Sequence, residues 1–402
     1  MEKCVRSLYE NRIFRVLTLL VLGIMAAISI AKGVSNAYRF SQDFQWDAAK
    51  ALSLGINPYT VSLTGDAVPD DAAFQDYYAY YESIDAPQKM EANQFPSLLM
   101  LLLPYAFLAP GAARIAWIVT NLLCSAGIIW LLRRTFFART DGYLFAVLSL
   151  LMLAGTPYRN QLGVGQHTLF SFFFFLLAVF LAQKKNGSIP AALCLAVSYF
   201  KYTLTAPLAL YFVYKRKWKE LILSVAVHVI ATVGAAFWLH ESVIDMILQP
   251  LKVSSALIAE GGMDLGALLN GSGAAFLLAA LIMAGLFVIA LRADENSDGM
   301  LISVLLLWSL IILYHRIYDF FPLILVAASF CEGDATPDQK GNRAMVCFYA
   351  LLVLFMFFIM RLLGEERYVW IMAACLYYTF TIILTVLLII QHTGIKHHGN
   401  EK

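Results

Sequence analysis

Long apolar windows recur along almost the whole chain, and polar residues interrupt them at short, spaced intervals. A membrane helix needs about 20 mainly apolar residues, so this pattern predicts an all-α polytopic membrane protein with about 12 transmembrane helices. The first span is expected from Ile13 to about Ala31. No small-residue cleavage site follows it, so it reads as a retained span and not as a signal peptide. Two stretches do not divide cleanly into spans. Pro104 and Pro110 break residues 96–132 into a short piece, interfacial or re-entrant, and a longer one. Ile189–Phe200 and Tyr202–Tyr214 are each too short to cross comfortably, and Lys201 lies between them. Broken helices are tolerated at membrane depth only where protein or a water-filled cavity surrounds them, which makes Lys201 a candidate site residue.

Composition agrees with a lipid solvent: 60% of the 402 residues are apolar and 14% charged, against about a quarter charged in average soluble proteins. Disorder and a disulfide scaffold are excluded. The net charge of +2 gives no bulk field for nucleic acid. The six cysteines show no CxxC spacing, which argues against disulfides and a zinc cluster.

Charge distribution carries more than charge total. Lys3, Arg6, Arg12, Arg133, Arg134, Arg139, Lys184, Lys185, the run Lys215–Lys219, Arg292, Lys340, Arg343, Lys396 and Lys402 can all be placed on one face. They make 17 basic residues against nine in the segments left for the other face. The positive-inside bias makes the first face cytoplasmic, with both termini and the tail 391–402 there and the protein in the plasma (inner) membrane. The chain is then one integral domain, 1–402, whose segment 33–95 forms the first extracytoplasmic loop. Lys201 and turns near 157–167, 240–271, 314–319 and 361–368 share its side. That loop holds nine of the 27 acids. Within it, Ser41 or Asp43 can cap a helix over Ala48 to Leu54, and Gly55 with Asn57-Pro58 stops it. Asp43 and Asp47 are four apart on one helical face beside the bilayer; they either serve chemistry or cap and solvate the helix.

Two further polar clusters stand out. Thr156–His167 ends in Gln166 and His167 at the mouth of a Phe-rich span, where a hydrogen-bonded turn and a ligand-binding turn are both open readings. Tyr314–Asp319 interrupts an apolar run with His315, Arg316 and Asp319. Ionisable residues inside membrane segments are costly and so mark function, although an Arg316–Asp319 structural pair would also account for them. His228, alone in an apolar helix, reads as a packed residue. The sequence has no HExxH, no phosphate-cradling GxxxxGK[ST] and no GxSxG, so metal, ATP-driven and serine-hydrolase chemistry lose their main supports.

The ordered set Asp43-Phe44, Trp46, Ala49, Leu52, Gly55, Asn57-Pro58-Tyr59, Phe95-Pro96, Pro104, Trp117, Asn121, Gly165-Gln166, Leu195-Ala196, Lys201 and His315 resembles glycosyltransferase family 87, DUF2029-like proteins of the GT-C type. The resemblance runs from about residue 13 to 330. It departs at Pro96-Ser97, where similar sequences often carry a double proline, and in the frame around His315. It implies a GT-C-type bundle that takes a sugar, a hexose such as mannose or a pentose, from a polyprenyl-phosphate donor. The acceptor would be a lipid, glycan or protein on the extracytoplasmic face, and the transfer inverting. Asp43 would be the general base, with Asp47 in reserve. Lys201, Arg316 and His315 would meet the donor phosphate, and Gln166, His167, Trp46 and Tyr59 the sugar or acceptor. Tyr77, Tyr78, Tyr80 and Tyr81 offer further aromatic faces. No cofactor or metal is expected. A transporter or flippase of lipid-linked sugars is the alternative, and it predicts mid-bilayer charges and internal repeats; a non-catalytic scaffold is a third reading.

Overall fold

The computed structural model describes residues 11–41, 44–59, 92–138, 140–257 and 298–325, with Asp264, Leu277, Leu278 and Leu281 between the last two stretches. The described residues are helical and hold no strand. Two compact units divide the chain. One comprises 32–128 and 161–260; the other comprises 1–31, 129–160 and 261–402. By length and composition four runs can cross a membrane: Arg12–Phe40, Pro110–Thr135, Ser188–Leu208 and Trp218–Leu239. A fifth arises if Thr156–Val164 and Thr168–Ala182, bent by 108°, count as one span. The expected twelve crossings include stretches outside the described residues, as does the tail 391–402.

Helix α1, Arg12–Phe40, differs from expectation in length. It carries on nine residues past Ala31, so Gly33–Phe40 is helix and not loop. Its 29 residues extend about 44 Å, against a hydrocarbon core of about 30 Å, so its end stands beyond the apolar layer. Polar Lys32, Ser35 and Asn36 mark where apolar character fades, but backbone hydrogen bonding has no reason to stop there. Asn36 instead packs close to Gly163.

In the unit 32–128 with 161–260, α2 (Trp46–Ser53) follows α1. Ser41 does not cap it, and Asp43 lies outside the described residues. Gln45 occupies the N-cap position in the left-handed region, at φ 58°, with no side-chain cap bond. The far end follows the sequence reading: Gly55, at φ 77°, lets its N–H bond the Leu52 carbonyl while Ile56 N–H bonds that of Ala51, a Schellman closure. Pro96–Leu99 (α3), a 3-10 turn and Leu103–Ala106 (α4) form the short piece, and α5, Pro110–Thr135, is the long one. Proline at the start of α5 suits a position whose N–H has no helical partner. α7 (Thr156–Val164) is a helix where a turn was expected, and Gly165, at φ 77°, bends it into α8 (Thr168–Ala182).

The broken segment comprises α9 (Ser188–Ser198), a 3-10 turn Tyr199–Lys201, α10 (Tyr202–Leu208) and α11 (Leu210–Tyr214). Although Ser188–Leu208 is long enough to cross, the chain folds back at Lys201. Thr205 Oγ1 donates to the Ser198 carbonyl at 2.8 Å, whereas seven residues of straight helix would separate them by about 10 Å along the axis. Lys217 Nζ also donates to the Ala182 carbonyl at 3.0 Å. A straight helix from Ser188 to Tyr214 would carry its end about 40 Å away. The segment therefore leaves and returns to the C-terminal end of α8, as two half-length arms with Lys201 at the tip. That end gathers Lys184, Lys185, Lys215, Arg216, Lys217 and Lys219. α12 (Trp218–Leu239) packs on α9 and turns Ile222, Val225, Val229, Ile230 and Phe237 outward. α13, Val243–Leu257, occupies a stretch expected to be a turn; Ser242 caps it by accepting from Asp245 N at 3.0 Å.

In the other unit, Asp141 caps α6 (Gly142–Ala154) by accepting from the N–H groups of Tyr143 and Leu144. Arg15 lies 3.7 Å from Asp141 and over the Tyr143 ring. α14 (Asp298–Ile312) stops at the polar cluster, and a 3-10 helix, Ile317–Leu323, continues.

Candidate functional site

The tip of the folded-back segment meets the bend between α7 and α8. Lys201 Nζ lies 3.4 Å from Gln166 Oε1, both residues half-buried. Two residues proposed from separate motifs, 35 positions apart, are thus in contact. The bend is held tightly. Trp117 Nε1 donates to the Gly165 carbonyl at 2.7 Å, Ser41 Oγ to the Val164 carbonyl at 3.0 Å, and Gln161 Nε2 to the Gln166 carbonyl. Only glycine fits at 165. A Cβ there would collide with Ser41 Oγ and sit 3.7 Å from Trp117, at a φ that L-residues avoid.

The start of the outer segment is tied to the same bend. His167 is buried and its Nε2–H donates to the Phe44 carbonyl at 3.3 Å. Phe44 stacks on Trp117 at 4.9 Å between centroids, and His167 lies 4.1 Å from the Phe200 ring. Tyr105 and Phe170 complete this aromatic floor. Asp43 lies outside the described residues, but both flanking anchors, Ser41 and Phe44, are attached to the 164–167 bend.

Other expected site residues are placed differently. Trp46, expected to present a face to sugar, is buried and donates its indole N–H to the Tyr105 carbonyl at 3.1 Å. Tyr59 is fully buried, its hydroxyl donating to the Gln94 carbonyl at 2.6 Å, and burial pushes its pKa well above the usual phenol value. Both rings are therefore taken up by packing, Trp46 under α4 and Tyr59 against α2, α3, α12 and α13. Asp47 is buried in the first turn of α2. Tyr77, Tyr78, Tyr80 and Tyr81 lie outside the described residues.

His315 belongs to the other unit and forms a buried chain. Its Nδ1 is 3.1 Å from Asp319 Oδ2 and its Nε2 3.3 Å from Ser309 Oγ, with all three side chains fully buried. Asp319 also accepts from the Arg316 backbone N–H at 3.2 Å, while Arg316 Nε donates to Tyr314 Oη at 2.7 Å. The arrangement fixes the imidazole, and Asp319 caps the start of the 3-10 helix through the Arg316 N–H.

Sequence reasoning missed Ser41 and Gln161 as clasps of the bend, and the use of Trp117 as a third. The cluster Thr156–His167 held the signal, since Gln161 lies inside it.

A multi-span helical protein with a cationic hairpin tip against a glutamine-bearing bend defines a class of membrane protein. Its family follows from the sequence: the profile of glycosyltransferase family 87 matches residues 96–315, more than half of the chain, and the chain belongs to that family. The protein is accordingly a multi-pass membrane glycosyltransferase. No curated protein and no solved structure matches it.

Proposed function

We propose that the protein moves a sugar, a hexose such as mannose or a pentose, from a polyprenyl-phosphate donor to a lipid, glycan or protein acceptor outside the plasma membrane, with both termini cytoplasmic. The observation that carries this reading is the contact of Lys201 with Gln166 beside the anchors of the Asp43 segment. Asp43 takes the proton of the acceptor hydroxyl, a role open to aspartate because an unperturbed carboxylate, with a pKa near 3.9, is ionised at neutral pH. The hydroxyl oxygen bonds to the anomeric carbon as the carbon–oxygen bond to phosphate breaks, which inverts the centre and releases polyprenyl phosphate. Lys201 exchanges its long contact with Gln166 for a phosphate oxygen and stabilises the departing charge. Gln166 then turns to the sugar hydroxyls. No divalent ion is assigned a role. Asp47, buried one turn further on, is the reserve candidate for the base. The basic residues gathered at the C-terminal end of α8, away from Gln166, support a cytoplasmic side opposite the site.

The test is transfer by the purified protein from radiolabelled polyprenyl-phosphate hexose and pentose donors. Asp43→Asn should lower the rate about 10²- to 10⁴-fold while the protein remains folded and inserted; retained transfer sinks the assignment. Lys201→Met should raise the donor KM by about 10- to 100-fold, the loss of a hydrogen bond to a charged group.

A further inference from the structure

α12 carries Glu220, Ser224, His228 and Thr232, one polar residue every fourth position, on a lipid-exposed helix. Glu220, Ser224 and Thr232 are buried, and His228, half-buried, shares their face. A histidine at the middle of a membrane helix is costly, so its partners matter. Both ring nitrogens are engaged. Nε2 lies 2.8 Å from the Ala196 carbonyl, which can only accept, so Nε2 carries the proton. Nδ1, 3.0 Å from Ser97 Oγ, then accepts from the serine hydroxyl. Ala196 belongs to the last turn of α9, where its carbonyl also accepts the Tyr199 backbone N–H, and it precedes Lys201 by five residues. The ring of Tyr199, the first residue of the tip, lies edge-on to His228 at 5.5 Å between centroids. Ser97 sits in α3, whose neighbour Leu98 packs with Phe44, Trp46 and Phe200.

We infer that His228 is a positioning residue: it fastens the end of α9 to α3, and thereby holds Lys201 at the height where a donor phosphate is bound. This inference rests on the donor-phosphate reading of Lys201. His228 touches neither Lys201 nor substrate; it acts through the Ala196 carbonyl on one side and Ser97 on the other. Interhelical hydrogen bonds within membranes average about 0.6 kcal/mol and reach about 1.7, so loss of the fastening should weaken phosphate binding about 3- to 15-fold.

The probe is farnesyl phosphate, a short isoprenoid phosphate that needs neither sugar nor acceptor, titrated onto the purified full-length protein in detergent. His228→Phe should raise its Kd about 3- to 15-fold in the native background and leave it unchanged in a Lys201→Met background, because the two act in one line. Ser97→Ala, which removes a single hydroxyl, should reproduce part of the loss, and His228→Gln, which retains a donor for the Ala196 carbonyl, should recover most of it. An equal loss in both backgrounds, or none in either, overturns the inference while leaving the role of Lys201 intact. If Lys201→Met itself leaves the Kd unchanged, the donor-phosphate reading fails, and this inference with it.

Discussion

The bend at Gly165 should tolerate no side chain, and the cost can be divided into two parts. Gly165→Ala places a Cβ on backbone at φ 77°, and the left-handed region costs an L-residue about 1–2 kcal/mol. The same Cβ collides with Ser41 Oγ, so the serine must move and give up its bond to the Val164 carbonyl, a loss of about 1 kcal/mol. The total is about 2–3 kcal/mol. In a Ser41→Ala background the obstructing hydroxyl is gone and only the Cβ of residue 41, 3.3 Å away, stays close, so Gly165→Ala should cost mainly the conformational part, about 1–2 kcal/mol. The measurement is equilibrium unfolding of the four proteins in mixed detergent and SDS micelles, followed by tryptophan fluorescence, to which Trp117 at the bend contributes. A Gly165→Ala protein as stable as the wild type would refute the conformational argument. An identical cost in both backgrounds would refute the collision with Ser41.

Tyr59→Phe should lower stability by about 1 kcal/mol, the worth of its bond to the Gln94 carbonyl, and leave donor and acceptor KM unchanged; a raised KM would return Tyr59 to the substrate site. His315→Ala should destabilise the protein by about 3–5 kcal/mol in the same unfolding assay, because it leaves the Asp319 carboxylate buried without the imidazole. His315→Ala with wild-type stability would show that the chain through Ser309 and Asp319 does not hold that turn.

Local punctuation was legible in the sequence. Gly55 with Asn57-Pro58 ends α2, Pro110 opens α5, and Lys201 breaks a run whose halves are too short to cross. Each of these is decided by a residue's own backbone or charge. What depends on distant partners was not legible. The hydropathy of α1 falls after Ala31, yet its hydrogen bonds continue to Phe40. Thr156–Val164 reads as polar and turn-like because its polar side chains serve the bend and not solvent; Gln161 is fully buried. Aromatic residues near a membrane surface suggest sugar stacking, but Trp46 and Tyr59 are used for packing. His228 looked merely packed because Ser97 and the Ala196 carbonyl, its partners, lie 131 and 32 positions away. Its fourfold spacing with Glu220, Ser224 and Thr232 was the signal available.

The return of the broken segment to the end of α8 bears on how the protein is made. Neither arm from Ser188 to Tyr214 is long enough to be stitched into the bilayer alone as the chain is synthesised. The Ala196 carbonyl meets His228 only after α12, which is made later, has entered the membrane. The Lys201–Gln166 contact joins residues made before α12, whereas the fastening of α9 to His228 needs a helix made after the tip. A chain that ended before His228 would carry every residue of the tip and still lack its fastening to α12.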